Sequence, residues 1–404
     1  MYPLMHPIPG SSTSEGQSDS VWDVDQTLQR PLKGVRVLDV SRILAGPHCT
    51  MILADLGADI VKVESPIGDE TRRWGPPFLG DTAAYYFAAN RNKRSVALDL
   101  KSDDGRREFH GLLSVADVLV QNFTEAVARQ LYVDADSVQR ANPRCIHVTL
   151  SGYGPSHPDR RGYDLMAQAL GGLMSVTGEP GGRGLKVGVP IADLTAGTYA
   201  ATAVIAAIYD RSASGRVARI EVSLIDSVTS LLANQAMNWL LCQSPPQALG
   251  NDHPSVTPYG VFRTATDDIV VAVASDAQFR SLCEVIGRTD VAANSRYVSN
   301  AERIRNREQL TAILNSHFSR TPAATWIARL SEVDIPCGAV RTVPEALASD
   351  DIRTLATVDH PVVGPIRQVL GPIQLNGRYL EPVLPPPMLD EHHLDLLPGR
   401  ANRG

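Results

Sequence analysis

The chain has 404 residues and a formal net charge of -6, from 38 basic and 44 acidic side chains, with 43% hydrophobic residues. That length supports a sizeable core and two or three domains, and the acidic balance argues against nucleic acid as the main partner. Five scattered cysteines, Cys49, Cys145, Cys242, Cys283 and Cys337, include no C-x-x-C pair. Neither a disulfide framework nor a zinc ribbon is indicated, and a reducing cytoplasm is the expected compartment.

Residues 1–30 are rich in Ser, Gly and Pro and carry Glu15, Asp19, Asp23 and Asp25, with no Lys or Arg before Arg30. A signal peptide needs a basic start and an apolar run, and a transit peptide avoids acids, so the segment reads as a disordered N-terminal arm. Residues 31–225 read as a large Rossmann-like domain. Val35, Val37, Leu38 and Val40 make one apolar strand, and Ile60, Val61 and Val63 make a second. Between them Met51, Ile52 and Leu56 share one face of a helix that Pro47 opens and Gly57 closes. A dinucleotide site would place G-x-G-x-x-G at the first turn. The turn here is Ser41-Arg42-Ile43-Leu44-Ala45-Gly46-Pro47, with one glycine and a cation.

Strands at 95–100, 117–120, 145–150 and 216–224 alternate with helices at 102–115 and 193–207. That alternation predicts an α/β fold, a mostly parallel sheet wrapped by helices, with ligands at the carboxyl ends of the strands. Residues 178–188 read as a glycine-rich surface loop, and 226–250 as a linker built on an apolar helix at 227–242. The apolar stretches 200–208 and 228–241 are shorter than the roughly 20 residues that span a bilayer, so both are expected to be buried core helices with no membrane partner. Residues 251–350 form a smaller α+β domain, with a hairpin at 259–264 and 269–274 and helices at 277–286, 301–317 and 323–330. Thr321 is the expected cap of the last helix and Pro322 its first residue. The proline-rich stretch 351–404 is expected to return, extended, across the large domain.

Asp193 sits where an apolar stretch enters a helix. A carboxylate there is held ionised by the helix dipole and has oxyanion donors beside it, or it is simply an N-cap. Arg160-Arg161-Gly162-Tyr163-Asp164 is either a second polar cluster or a capped helix start with solvated arginines. Arg72, Arg73, Arg91, Lys93, Arg94 and Lys101 interleave with Trp74, Tyr85, Tyr86 and Phe87. They suit a phosphate-rich ligand with an adenine ring, or else a solvated surface over core aromatics. The ten histidines contain no metal-binding spacing, no metal is expected, and His253 stands alone in a loop. A serine hydrolase is disfavoured because no G-x-S-x-G elbow occurs.

Taken in order, Leu38-Asp39, Ala45-Gly46-Pro47, Leu56-Gly57-Ala58, Lys62-Val63-Glu64, Asn92-Lys93-Arg94-Ser95, Leu98-Asp99-Leu100-Lys101, Asn122-Phe123, Ser151-Gly152-Tyr153-Gly154, Asp193 with Gly197, and Ile335-Pro336-Cys337-Gly338 resemble the class III CoA-transferases. That family includes formyl-CoA and carnitine CoA-transferases and the α-methylacyl-CoA racemases, and the likeness runs over 32–392. The resemblance implies a large Rossmann-like domain built from both chain ends, a small middle domain, and an interlocked ring-like homodimer. It makes Asp193 the nucleophile, passing through an aspartyl anhydride and an aspartyl-CoA thioester, with a CoA thioester as substrate and no tightly bound cofactor. It places CoA contacts on Leu44, Ala45, Leu98, Asp99, Leu100, Lys101, Asn122, Phe123, Arg160, Arg161, Gly162 and Tyr163.

Two loops depart from the family pattern. Thr124-Glu125-Ala126 follows Asn122-Phe123 where the family has Arg/Gly-Pro-Gly, with Arg129 as a substitute phosphate contact, and Asp390 replaces a common glycine. Racemases have histidine before the aspartate at Asp164. Tyr163 stands here, and a phenol of pKa near 10 favours transferase over racemase. The stretch 71–78, with Tyr85, Tyr86 and 90–93, looks most like succinyl-CoA-dependent enzymes acting on dicarboxylates such as glutarate, hydroxymethylglutarate or itaconate. The second carboxylate then needs a cation. Arg42 is the candidate, with Arg73 and His253 in reserve and Asp164 also at the substrate. A noncatalytic CoA-binding protein is the alternative from another class.

Overall fold

The computed structural model describes residues 30–397, so the expected arm, apart from Arg30, lies outside the described residues. Strands β1 (Arg36–Asp39), β2 (Asp59–Glu64), β3 (Lys93–Ala97), β4 (Val118–Gln121), β5 (Ile146–Ser151) and β6 (Arg219–Ser223) form one sheet. Its order is β3-β2-β1-β4-β5-β6 and every pairing is parallel. This is the doubly wound order, with the reversal between β1 and β4 opening a crevice at the carboxyl ends. The central strands are covered on both faces, which is why they read as continuous apolar runs: Val118, Leu119, Val120, Ile146 and Val148 are fully buried. β3 ends at Ala97, three residues short of the expected strand, and leaves 98–101 as a turn at the crevice.

Helix α1 (Ala45–Asp55) crosses from β1 to β2, and α2 (Asp103–Leu113) follows β3. The Ser102 hydroxyl caps α2 by accepting from the Gly105 N–H, with Asp103 and Asp104 in the first turn, as its sequence predicts. After α3 (Asp164–Leu170) comes α4 (Ile191–Ser214), longer at both ends than expected and closed by Gly215 in the left-handed region. By length and composition alone this 24-residue helix could cross a membrane. One face instead packs into the sheet core through Ala192, Ala196, Ala200 and Val204. Gly197 meets α1 backbone to backbone: a Cβ there would lie 2.6 Å from the Ala45 carbonyl oxygen and 3.2 Å from the Cys49 nitrogen.

The helix expected at 227–242 is two helices, α5 (Leu224–Ser230) and α6 (Ala233–Cys242). Hydroxyls of Ser227, Thr229 and Ser230 donate to the Ser223, Ile225 and Ser227 carbonyls, and Ala233 takes a positive φ at the break. Nor is α6 a buried core helix. Trp239, Leu240 and Leu241 are exposed on it.

A second core surrounds a sheet of order β9-β8-β7, from β7 (Tyr259–Arg263), β8 (Asp268–Ala272) and β9 (Cys337–Ala339). Helices α7 (Asp276–Val285), α8 (Asn300–Arg305), α9 (Arg307–Phe318) and α10 (Ala323–Ser331) complete it. The single helix expected at 301–317 is interrupted at Asn306, and Pro322 is the N-cap of α10 rather than its first residue.

The C-terminal stretch is not simply extended. It forms a hairpin, β10 (Leu355–His360) with β11 (Gly364–Val369), before running along the edge strand β3. There the His392 N–H donates to the Ser95 carbonyl, and the Ala97 N–H donates to Asp390 Oδ1 at 2.7 Å. Asp390 tolerates φ +62° and adds a carboxylate acceptor that glycine would lack.

Gly197→Val should lower the thermal unfolding midpoint, by the equivalent of about 1–3 kcal/mol for overpacking. Gly188→Ala, which meets nothing within 4 Å, is the control. Equal midpoints for the two variants in a thermal melt would contradict close α1–α4 packing.

Candidate active site

A cleft of about 280 Å³ opens at the crevice, with Asp193 in its lining. Arg42, Leu44 and Ala45 enter from the β1–α1 loop, Asn122 and Phe123 from beyond β4, and Arg160, Arg161, Gly162 and Tyr163 from the segment before α3. A second cleft of about 380 Å³ holds Leu98, Asp99, Leu100, Lys101 and Arg73. The two share Arg42, Glu70, Phe123, Val127 and Arg161. All twelve expected CoA contacts therefore line two adjoining clefts.

Asp193 is the third residue of α4, and Pro190 occupies the N-cap position. It is not an N-cap. Burial, and next the Asp164 carboxylate, raise its carboxyl from 3.8 to about 7. The expectation that it is held ionised is thus overturned: burial and a like charge hold its carboxyl above the usual carboxylate range.

Asp164 supplies the cap that Pro190 cannot. Its Oδ1 accepts from the Ala192 N–H at 2.7 Å, and its Oδ2 accepts from the Gln168 amide at 2.6 Å. Gln168 Oε1 in turn accepts from the Val187 N–H at 2.8 Å. Asp164 lines neither cleft and both its oxygens have protein donors, so the structure makes it a positioning residue rather than a substrate contact.

The loop facing Asp193 is clamped from two sides. Asn122 accepts from the Arg42 N–H at 2.9 Å and donates to the Arg42 carbonyl at 2.7 Å. Ile43, at φ +69°, donates its N–H to the Asp69 carboxylate at 3.2 and 3.3 Å. Left-handed backbone is costly for a β-branched residue and needs such support. Lys62 donates to the Ser41 carbonyl at 3.0 Å and pairs with Asp69 at 3.1 Å. Burial alone would lower the Lys62 ammonium, but Asp69, Asp39 and Glu64 together hold it above its usual value. The Arg42 guanidinium pairs with Glu70 at 2.6 Å and lies 4.9 Å from the centre of the Phe123 ring.

Other expectations are corrected. Four of the six cations are taken up in ion pairs: Arg72 with Glu64 at 2.7 Å, Arg91 with Asp55 at 2.6 Å and Lys93 with Asp39 at 3.0 Å, all buried, and Arg94 with Asp59 at 2.5 Å nearer the surface. Tyr86 lies fully buried beneath Arg72. Only Arg73 and Lys101 of the six cations reach the clefts, and Arg73 also donates to the Ile67 carbonyl. Arg129 pairs with Glu125 at 2.7 Å and lines a different cavity. His253 lines neither cleft; its ring packs 5.2 Å from Tyr259 and its Nδ1 accepts from the Ser255 N–H. The sequence marks Lys62 only as part of the Lys62-Val63-Glu64 motif, and Asp69 and Glu70 were not among the expected site residues. The available signal was Gly68-Asp69-Glu70-Thr71 directly beyond β2, where a doubly wound sheet binds its ligands.

The sequence profile of CoA-transferase family III matches residues 32–393. The chain belongs to that family. It is similar to the succinate–glutarate CoA-transferase of Agrobacterium fabrum, at 36% identity over 91% of this chain and 95% of the relative. It is also similar to the succinyl-CoA:mesaconate CoA-transferase of Haloarcula hispanica, at 35% identity over 91% of this chain and 95% of the relative. A CAIB/BAIF family protein from Brucella suis, solved by crystallography, has 34% identity and a TM-score of 0.81, covering 91% of this chain and 99% of that one. The CoA-transferase thus carries, in its cleft, a carboxyl group whose ionisation is opposed by its surroundings.

The raised pKa of Asp193 has a stability signature. Below about 4 the group is protonated whether folded or not; between 3.8 and about 7 the folded chain keeps a proton that the unfolded chain releases. Its contribution to stability therefore falls as pH rises through about 7. Asp193→Asn lacks this penalty, so its thermal midpoint should exceed that of the wild type at pH 8 and converge with it toward pH 4. A variant less stable than the wild type at pH 8 would contradict the shift.

Proposed function

We propose that this CoA-transferase moves CoA from succinyl-CoA to a small dicarboxylic acid, with Asp193 as the nucleophile. The observation that carries the reading is a desolvated carboxyl group in a cleft that also presents Arg42, Arg160 and Arg161. In the first step an Asp193 oxygen attacks the thioester carbonyl, the C–S bond breaks, and CoA leaves as thiolate. The thiolate then attacks the Asp193 acyl carbon of the mixed anhydride, which releases succinate and leaves an aspartyl-CoA thioester. The acceptor carboxylate displaces CoA from Asp193 to form a second anhydride. The thiolate finally attacks the acceptor acyl carbon and restores the carboxylate. Each step exchanges one activated acyl bond for another, so no ATP and no net proton are needed.

Arg42 would receive the distal carboxylate, since a guanidinium matches a carboxylate fork. Arg160, Arg161, Arg73 and Lys101 would serve the CoA phosphates along the two clefts. Succinyl-CoA as donor and a dicarboxylate as acceptor are in keeping with the activities of the Agrobacterium and Haloarcula relatives. A racemase reading is disfavoured because Tyr163 is an exposed phenol and the Asp164 oxygens are engaged by protein donors. A homodimer would cover the apolar side chains at the surface of α4 and α6, where Tyr209 is 77% and Leu241 74% exposed.

The test is succinyl-CoA mixed with a panel of acids, with new thioesters read by mass. Glutarate or a related dicarboxylate should be esterified to CoA. Asp193→Ala should lose turnover by roughly 10⁴-fold or more while still binding CoA. Retained turnover in that variant would overturn the mechanism.

A further inference from the structure

Arg42 and Glu70 belong to both clefts and stand in the wall between them. Their ion pair differs from the buried arginine pairs nearby. Arg72 holds Glu64 through Nε and Nη2, and Arg91 holds Asp55 through Nε and Nη2, each with two bonds to the carboxylate. Arg42 reaches Glu70 through Nη1 alone, at 2.6 Å, and the two side chains are 46% and 36% exposed. The second Glu70 oxygen, Oε2, is buried without a hydrogen-bond partner. An unpartnered buried carboxylate oxygen carries a desolvation cost, and a one-armed, half-exposed pair gives little energy to offset it. A fixed structural bridge would be built like the other two.

The position of Glu70 is nevertheless set with care. Asp69 accepts from the Thr71 N–H and so caps the short 3₁₀ turn Glu70–Arg73, while the same Asp69 carboxylate accepts from the Ile43 N–H. One residue therefore holds both the loop that carries Arg42 and the turn that carries Glu70. The pairing is built in, yet it is left unsaturated on both sides. A negative charge in the lining of a cleft meant for anions repels them unless it has somewhere else to be useful.

We propose that Glu70 is the exchangeable counter-ion of Arg42. The distal carboxylate of a dicarboxylic substrate and the Glu70 carboxylate alternate on the guanidinium, so Glu70 tunes how tightly dicarboxylates are held and eases their release. This rests on the reading of Arg42 as the distal-carboxylate contact. A monocarboxylic acid has nothing with which to displace Glu70 and leaves the pair as it is. Glu70 acts through Arg42 and is a positioning residue, not a catalytic one.

The experiment compares Glu70→Gln, Arg42→Ala and the double variant, using glutarate and butyrate as acceptors with succinyl-CoA. KM and kcat are measured separately, a competitive Ki replaces KM where butyrate is not turned over, and thermal midpoints check folding. Glu70→Gln should lower the glutarate KM by roughly three- to tenfold and leave the butyrate constant unchanged. The double variant should match Arg42→Ala, because the effect of Glu70 requires the guanidinium. An unchanged or raised glutarate KM in Glu70→Gln, or an equal change for both acids, would overturn the exchange. If Arg42→Ala weakens glutarate selectively while Glu70→Gln does not strengthen it, only the role of Glu70 fails. If Arg42→Ala affects both acids equally, the assignment of Arg42 itself fails.

Discussion

Three cations and three carboxylates lie together under the crevice end of β1, β2 and β3. Lys62, Lys93 and Arg72 face Asp39, Asp69 and Glu64, and every one of the six is buried. Each would lose several kcal/mol of solvation if left alone, so the group is tolerable only as a balanced whole. Thr50 and Ser41 add hydroxyl donors to Asp39, which Lys93 and Lys62 hold at about 2 against the opposing effect of burial. The consequence is geometric. The Ser41 carbonyl and the Ile43 N–H are bonded to members of this group, so the loop beside Asp193 is held at two points from beneath. Removing Lys62 or Asp69 would leave its partner uncompensated and take away a bond to that loop.

Asp193 is placed by a different set of contacts. The close crossing of α1 and α4 at Gly197 brings the first turn of α4 to the loop, and Asp164 ties down the Ala192 N–H one residue before Asp193. The residue that fixes the helix start is also a like charge that raises the Asp193 pKa. A carboxylate poorly solvated by its surroundings is a better nucleophile than one in water, at the cost of being only partly ionised near neutral pH.

The parallel sheet was legible because its strands are covered on both faces and announce themselves as short apolar runs with glycine and proline between them. The opening unit with its Pro47 start and Gly57 stop and the Ser102 cap belong to that local grammar, whereas the turn at 98–101 was hidden inside an apolar run that read as strand to Leu100. The basic cluster was misread because the partners that neutralise it are remote: Arg91 meets Asp55 across 36 residues and Lys93 meets Asp39 across 54. The same distance hid Asp164 as the cap of α4, 28 residues upstream of Ala192. The break between α5 and α6 was invisible for another reason, since the apolar pattern runs on through Leu231 and Leu232 while the backbone does not. His253 shows the converse, a residue plausible in its own loop whose neighbours are Tyr259 on β7 and Arg307 on α9. Asp193 could not be separated from an ordinary N-cap by spacing; the family motifs singled it out, and the structure then removed the capping role.

The central claim is that Asp193 carries the acyl group and then CoA, and the most direct measurement is chemical capture of that state. The enzyme is mixed with succinyl-CoA without acceptor, quenched with hydroxylamine, digested and mapped by mass spectrometry. The account predicts a hydroxamate on Asp193 that depends on succinyl-CoA. A hydroxamate on another carboxylate such as Asp164 or Glu70, or none under conditions that support turnover, would contradict it.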